Sequence, residues 1–182
     1  MSNNTALCPT AEYSIHSMVG RFERTAGVTL SSLERLFLST DGTVTHMLEA
    51  LTRQDVSVEI LDREVSGDRL YRTVALRCKS EQQPVVWARS TVHLPLLSAH
   101  VADELVDGDA GIGDLLRTEY TETRRSIVEL NTRSDREEFP WYVETDASCL
   151  LERTYQIYAS EERIMTITEY LPKGRLSRYR TR

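Results

Sequence analysis

Alternation of apolar and polar residues at every second position is the feature that most limits how this chain can fold. It begins at Val56, after two helical patterns, and returns in short runs separated by turn-forming residues. Such runs predict half-buried β-strands. Strands are predicted at residues 56–61, 70–78, 85–93, 153–159 and 164–171, the last two as a hairpin around residues 160–163. Because strands and helices do not alternate regularly, the pattern favours an α+β fold with antiparallel strands over a doubly wound sheet.

Apolar residues at helical spacing predict short helices between these strands. Ser31 and Glu34 have the spacing of a capping box, which predicts the start of a helix. Thr43 is a suitable N-cap for a second helix, which continues with apolar residues at helical spacing. Further helices are predicted at residues 96–106 and 114–119, with a glycine-containing loop at residues 107–113 between them.

Four segments have a less decided pattern. Residues 1–27 predict an extended N-terminal arm or a weak first helix, and residues 121–130 fit either a helix or a strand. Residues 131–148 are polar enough for a surface excursion, and residues 173–182 predict a basic, solvated tail. No repeat or linker divides the sequence, so we expect residues 1–182 to form a single domain.

Composition and missing motifs argue against several functional classes. The 182 residues carry 22 Lys and Arg against 28 Asp and Glu, and the net charge of −6 disfavours nucleic acid as a partner. No apolar run reaches the roughly 20 residues of a membrane span, so we expect a cytoplasmic protein without membrane contact. The three cysteines and four histidines lack metal-ligand spacing, so no metal is expected. Nucleotide-binding loops are also absent from the sequence, so no nucleotide cofactor is expected.

Charged residues at inward-facing positions are the clearest functional signal. Arg72 interrupts the apolar row of the strand at residues 70–78, and Glu169 interrupts that of the strand at residues 164–171. Both side chains are therefore predicted to point into the core, where an unpaired ion costs several kcal/mol. Arg89 is a third candidate, but both rows of its strand are equally apolar, so alternation leaves its direction undecided.

These inward charges have two interpretations. One is a structural ion pair between Arg72 and Glu169 in an ordinary core. The other is an anion-binding pocket, because the glycine turns at residues 42–44 and 111–113 each lead to a predicted helix N-terminus, whose backbone N–H groups favour a carboxylate or phosphate. Two arginines and two such N-termini suit a dianion.

Six short motifs, in this order and spacing, resemble one enzyme family. They are LERLFLSTDGTVTHMLEAL, VSVEI, YRTVALRC, WARSTVHLP, GIGDLL, and RTYQIY with ITEYLP. Together they resemble the chorismate lyase superfamily, also called chorismate pyruvate-lyases or 4-hydroxybenzoate synthases. The segment TETRR is similar to the branch found in archaea, cyanobacteria and mycobacteria. The resemblance implies an antiparallel, six-stranded sheet with helices over one face and an enclosed ligand pocket.

The resemblance also implies roles for individual residues. Arg72 falls on the arginine that holds the ring carboxylate of the product, and Glu169 on the glutamate that faces the 4-hydroxyl. Arg89 falls on a second arginine that lines the substrate cavity. The family's carboxylate-binding amides map to the two helix starts, so the implied substrate-binding residues also include Thr43, Val44, Thr45, Ile112 and Gly113.

The implied activity is the elimination of pyruvate from the dianion chorismate to give 4-hydroxybenzoate without a cofactor, with Glu169, Arg72 and Arg89 as catalytic residues. The product would serve as a precursor of quinones or of a secondary metabolite. We expect small-molecule ligands and a monomer or weak dimer. The alternative is a non-catalytic, effector-sensing module of the same fold that binds an aromatic acid. A lyase or isomerase acting on a related cyclohexadiene acid is a third option.

Overall fold

The computed structural model describes residues 14–81, 83–119, 122–134 and 147–179. The helices are α1 (Ile15–Ala26), α2 (Ser32–Ser39), α3 (Val44–Thr52), α4 (Ala99–Val106) and α5 (Ile112–Glu119). The strands are β1 (Val56–Ser66), β2 (Arg69–Cys78), β3 (Val86–His93), β4 (Arg124–Arg133), β5 (Leu150–Ala159) and β6 (Glu162–Pro172). In these ranges, none of the helices is long and apolar enough to cross a membrane.

The six strands form one antiparallel sheet in the order β1–β2–β3–β6–β5–β4. Tight turns set two of its hairpins. Gly67, between β1 and β2, has a φ of 56°, and Ser160 and Glu161, between β5 and β6, have φ values of 48° and 71°. Positive φ in a two-residue turn matches the twist of the flanking strands. The predicted β5–β6 hairpin is confirmed, with a turn of two residues instead of four.

The helices cover one face of the sheet. Phe37 of α2 and Leu48 of α3 belong to one core cluster, which also contains Leu151 of β5. Leu105 of α4 and Leu116 of α5 belong to a second cluster, built against other residues of the same sheet face. The α+β class and the antiparallel sheet with helices over one face are therefore confirmed.

The structure decides segments that the sequence left open. Residues Arg124–Arg133 form an edge strand, so the segment at 121–130 is not a helix where it is described. Residues Ile15–Ala26 form a helix capped by Ser14. Of the two alternatives for this segment, the extended arm is therefore wrong and the first helix is confirmed where the segment is described. Helix α5 begins at Ile112, two residues before its predicted start. Residues 1–13 and 135–146 of the predicted arm and surface excursion lie outside the described residues.

The basic C-terminal segment packs against the body of the protein, which corrects the expectation of a solvated tail. Arg175–Tyr179 form a 3₁₀-helix in which Leu176 is fully buried. Buried Arg175 lies 2.8 Å from the carboxylate of Glu81. A buried cation is tolerated where a carboxylate meets it, and periodicity could not reveal a partner from another part of the chain. Residues 180–182 of the tail lie outside the described residues.

Arg153 of β5 carries a charge buried on the helix-covered side of the sheet, where its side chain is 1% exposed. Its Nε lies 3.1 Å from Oε2 of Glu169, so neighbouring strands share a buried ion pair. The same guanidinium donates to the carbonyls of Phe37, at 2.6 Å, and of Thr40. Carbonyls at the end of a helix have no intrahelical partner. Arg153 therefore satisfies the C-terminal end of α2 and ties it to the sheet.

We expect Arg153→Met to lower the free energy of unfolding by about 3–5 kcal/mol, because it leaves Glu169 as a buried charge without its partner. The matched control is Arg35→Met, which removes a pair with Glu23 at 2.9 Å in which the arginine is 49% exposed. Such exposed pairs contribute at most about 1 kcal/mol. Urea denaturation measures both variants, and equal losses would contradict the role assigned to Arg153.

Candidate active site

A cavity lies between the sheet and the N-terminal ends of α3 and α5. Its volume is about 70 Å³, which is room for about five waters, since one water needs about 10–15 Å³. Apolar side chains of the sheet and a few polar groups line it, as in most small-molecule sites. The lining residues are Thr43, Val44, Thr45, Val58, Arg72, Val74, Leu76, Ala88, Ser90, Gly111, Ile112, Gly113, Asp114, Arg125, Tyr155, Ile157, Ile167 and Glu169.

Arg72 of β2 supplies a buried cation to this cavity. The residue is 2% exposed, and its NH2 group donates to the carbonyl of Ala110 at 3.2 Å. Its Nε and NH1 atoms have no hydrogen-bond partner among the residues that the structure describes. Burial, and secondly the charge of Arg63, lower the pKa of Arg72 to about 10, against an opposing effect of Asp109. Arg72 is therefore a cation at neutral pH whose spare donors an anionic ligand would satisfy.

Two arginines hold the loop before α5 against the sheet. Arg63 of β1 and Arg72 of β2 are cross-strand partners. Arg63 donates to the carbonyls of Val106 and Gly108, and Arg72 donates to that of Ala110. Because the loop carbonyls are held in this way, the chain enters α5 with the first residues of the helix at the cavity.

The N-terminal ends of α3 and α5 meet at the cavity. A Cβ on Gly113 would lie 2.6 Å from Cγ2 of Thr43, so glycine is required for this close approach. The first amides of each helix lack intrahelical acceptors and favour an anion. The residues predicted at the two helix starts all line the cavity: Thr43, Val44, Thr45, Ile112 and Gly113.

Glu169 of β6 also lines the cavity, but its ionic partner is Arg153. The structural ion pair between Arg72 and Glu169, one interpretation of the sequence, is not formed: Glu169 pairs with Arg153, and Arg72 donates to the carbonyl of Ala110. The Oε1 atom of Glu169 accepts a hydrogen bond from the Tyr155 hydroxyl at 3.0 Å. Burial, and then the charge of Glu169, raise the pKa of Tyr155 well above its usual range. The phenol therefore keeps its proton and is the donor of this hydrogen bond.

Sequence reasoning missed Arg153 and Tyr155, although a signal was present. The two residues share one row of β5 with Leu151 and Ile157, and all four of these residues are buried. An arginine in an otherwise apolar row is the same pattern that pointed to Arg72. The alternation rule would therefore have found Arg153 if it had been applied to β5.

Arg89 does not lie in the cavity, which corrects its assignment as a catalytic and substrate-binding residue. Its neighbours Ala88 and Ser90 line the cavity, so the Arg89 side chain points to the opposite face of β3. There its cross-strand partners are Thr73 and Thr168. The helices cover the face of β3 that carries Ala88 and Ser90, a choice that two equally apolar rows could not predict.

Arg125 of β4, in the segment TETRR, also lines the cavity, although the sequence predicted no role for it in the site. Its NH1 group donates to the carbonyl of Asp41 at 3.4 Å, in the loop before α3. The adjacent Arg124 points the other way, with its guanidinium 4.2 Å from the ring centre of Tyr158. The two arginines therefore point to opposite faces of an edge strand, and of the two Arg125 lines the cavity.

The polar groups of the cavity have the chemistry of an organic-acid site. Arginine side chains and helix N-terminal amides bind carboxylates, and apolar side chains are suited to the faces of a ring. Among the residues that the structure describes, no group of three or more His, Cys, Asp or Glu side chains is placed to hold a metal ion.

Solved structures share the fold at low sequence identity. The effector domain of PhnF from Mycobacterium smegmatis has a TM-score of 0.53 and 12% identity, over 73% of this chain and 89% of that chain. A second structure, of PhnF from the same organism, has a TM-score of 0.50 and 12% identity, over 74% and 65% of the two chains. At this identity the similarity concerns the fold alone.

Sequence comparison gives the family. Residues 38–180 match the profile of the family described as Chorismate pyruvate-lyase Rv2949c-like. The protein described as putative lyase MJ0807, from Methanocaldococcus jannaschii, is 30% identical over 149 residues, which are 79% of this chain and 80% of that protein. Because both matches span most of the chain, the chain belongs to the chorismate pyruvate-lyase Rv2949c-like family.

Proposed function

We propose that this chain is a chorismate pyruvate-lyase, which converts chorismate into 4-hydroxybenzoate and pyruvate. The observation that carries the proposal is Arg72, a buried cation in a cavity lined by two helix N-termini, with two nitrogen atoms that have no partner among the described residues. A ligand carboxylate would meet both needs at once, the charge and the hydrogen bonds. Membership of the family supports chorismate as the acid.

The proposed reaction is an elimination from the cyclohexadiene ring. The bond between C3 and the ether oxygen breaks, and the oxygen leaves with the electron pair as the enolate of pyruvate. C4 loses its hydrogen as a proton, which leaves the electrons for the new C3–C4 double bond of the aromatic ring. The enolate then takes up a proton on carbon. Atoms and electrons balance without an oxidant or reductant, so the proposal includes no cofactor.

Arg72 is the proposed anchor of the ring carboxylate. Its planar fork of donors matches the two oxygens of a carboxylate, a geometry that the single ammonium group of lysine does not reproduce. The helix starts at Val44 and Ile112 line the same cavity and add backbone donors and the positive ends of two helix dipoles. These contacts would hold one end of the ring in a fixed orientation.

Glu169 is the proposed acceptor for the 4-hydroxyl group. Its Oε1 atom accepts from Tyr155, and a carboxylate oxygen has a second lone pair for the substrate hydroxyl. Its Oε2 atom accepts from the Arg153 guanidinium, which fixes the side chain with Oε1 towards Tyr155. In this proposal Glu169 positions the hydroxyl, and with it the hydrogen on C4.

We expect Arg72→Met to reduce kcat/KM for chorismate by about 30-fold to several thousandfold, because truncating one member of a buried charged contact costs about 2–5 kcal/mol. Pyruvate release and 4-hydroxybenzoate formation measure the rate. The matched control is Arg89→Met on the opposite face of the sheet, which should keep the wild-type rate.

Two results would contradict this proposal. One is unchanged turnover in a folded Arg72→Met variant. The other is tight binding of chorismate by the wild-type protein without release of pyruvate, which would favour the effector-sensing module over the lyase.

We expect Gly113→Ala to weaken the binding of 4-hydroxybenzoate by about 5- to 150-fold, because overpacking against Thr43 costs about 1–3 kcal/mol and moves the two helix starts apart. Thr43→Ala removes the Cγ2 atom that the new methyl group would meet, so the double variant should recover the affinity for 4-hydroxybenzoate. Thr43 makes no side-chain capping bond, so Thr43→Ala alone is the baseline. Calorimetric titration compares the affinities, and a loss that persists in the double variant would contradict the close approach as its cause.

A further inference from the structure

We propose that Arg125 binds the second carboxylate of the substrate, the one on the enolpyruvyl group that leaves as pyruvate. This inference rests on the proposed function, because it assigns the remaining charge of a dianionic substrate to a residue of the same cavity. The family resemblance implied Arg89 as the second arginine of the cavity, but the Arg89 side chain points to the other face of the sheet.

The order of charges across the sheet supports this assignment. Arg72 stands on β2, Glu169 on β6 and Arg125 on β4, and all three line the cavity. Four strand spacings separate β2 from β4, or about 19 Å, and β6 lies midway between them. The two long cationic side chains therefore enter the cavity from opposite sides, with the carboxylate of Glu169 between them. A ligand with two carboxylates and a hydroxyl meets a complementary group at each position.

Arg125 has donors to spare for such a ligand. Its NH1 group lies 3.4 Å from the carbonyl of Asp41, which is longer than a usual N–H···O hydrogen bond of about 2.7–3.2 Å. A guanidinium has five N–H donors, and this contact uses one of them weakly. The loop that Arg125 contacts runs directly into the N-terminal end of α3, so this contact also holds Arg125 at the edge of the cavity.

Arg125 also acts on the end of the cavity at Glu169 and Tyr155, where the 4-hydroxyl group is proposed to bind. Its charge acts on the Tyr155 phenol and opposes the larger effects of burial and of Glu169 that raise the pKa of that phenol. Because Tyr155 bonds to Glu169, Arg125 lies on the side of the cavity where the 4-hydroxyl is proposed to bind. In chorismate the ether oxygen is on the ring carbon next to the one that carries this hydroxyl. The enolpyruvyl carboxylate would therefore be within reach of Arg125.

With this assignment, Arg125 distinguishes the substrate from the aromatic product. Chorismate has two carboxylates and 4-hydroxybenzoate has one, so Arg125 would contact the substrate and the departing pyruvate, whereas Arg72 would contact substrate and product alike. A cation near the leaving group also stabilises the negative charge that develops on the enolate oxygen. Arg125 therefore contributes to specificity for a dianion and to departure of pyruvate.

The test compares two stable ligands, so that binding is measured without turnover. The first is 4-hydroxybenzoate, and the second is 3-(carboxymethoxy)benzoate, an aromatic dianion with an ether-linked carboxylate at the meta position. Calorimetric titration is performed on the wild-type protein and on the variants Arg125→Met, Arg124→Met and Arg72→Met. Arg124→Met is the matched control, because Arg124 is next in sequence, has the same charge and stacks on Tyr158 away from the cavity.

We expect Arg125→Met to weaken the binding of the dianion by about 10- to 100-fold, the usual effect of losing a charged hydrogen bond. The affinity for 4-hydroxybenzoate should stay within about twofold of the wild-type value. Arg124→Met should change neither affinity, and Arg72→Met should lower both. Equal losses for the two ligands in Arg125→Met, no loss for either, or binding of neither ligand by the wild-type protein would overturn the assignment.

Turnover of chorismate separates this assignment from the proposed function. If the wild-type protein discriminates the two ligands through Arg125 but releases no pyruvate, the lyase proposal fails and the dianion site remains. If the wild-type protein releases pyruvate and Arg125→Met has an unchanged KM for chorismate, the lyase proposal stands and the assignment of Arg125 fails.

Discussion

Charges buried on the helix-covered face of the sheet are the constraint on which the rest of the structure depends. Arg153, Glu169 and Arg72 all stand in apolar rows, where an ion without a partner costs several kcal/mol. Arg153 and Glu169 satisfy each other, and Arg153 also satisfies the carbonyls at the end of α2. Arg72 has two nitrogen atoms without a partner among the described residues. That difference distinguishes a pair that holds the fold together from a cation available to a ligand.

The elements that complete the core also shape the cavity. Arg63 and Arg72 hold the loop before α5 by its carbonyls, which brings the first turn of α5 to the cavity. The absence of a side chain on Gly113 lets this turn approach Thr43 at the start of α3. Because the free amides of both helix starts belong to backbone held in this way, the anion-binding groups are ordered before a ligand arrives. Such preorganisation reduces the entropic cost of binding.

Local pattern was sufficient to predict much of the fold and part of the site. Period-two alternation predicted five of the six described strands, and the capping box of Ser31 and Glu34 is present at the start of α2. Alternation also placed Arg72 and Glu169 on the inward face, where the structure has them. It failed for Arg89, because both rows of β3 are apolar and the covered face depends on helices from elsewhere in the chain. It was inconclusive for residues 121–130, because an irregularity between Ile127 and Glu129 interrupts the alternation of β4.

By itself, the sequence determined which residues share a face of a strand or begin a helix, since these relations depend only on backbone geometry and spacing along the chain. It therefore determined that Arg72 and Glu169 are buried charges, and that turns with glycine precede two helices. Only the tertiary structure decided that Glu169 pairs with Arg153 and that Arg125 and not Arg89 lines the cavity. The reason is physical: the partner of a buried charge comes from whichever strand or loop the fold places opposite to it, and no periodicity within one segment records that choice.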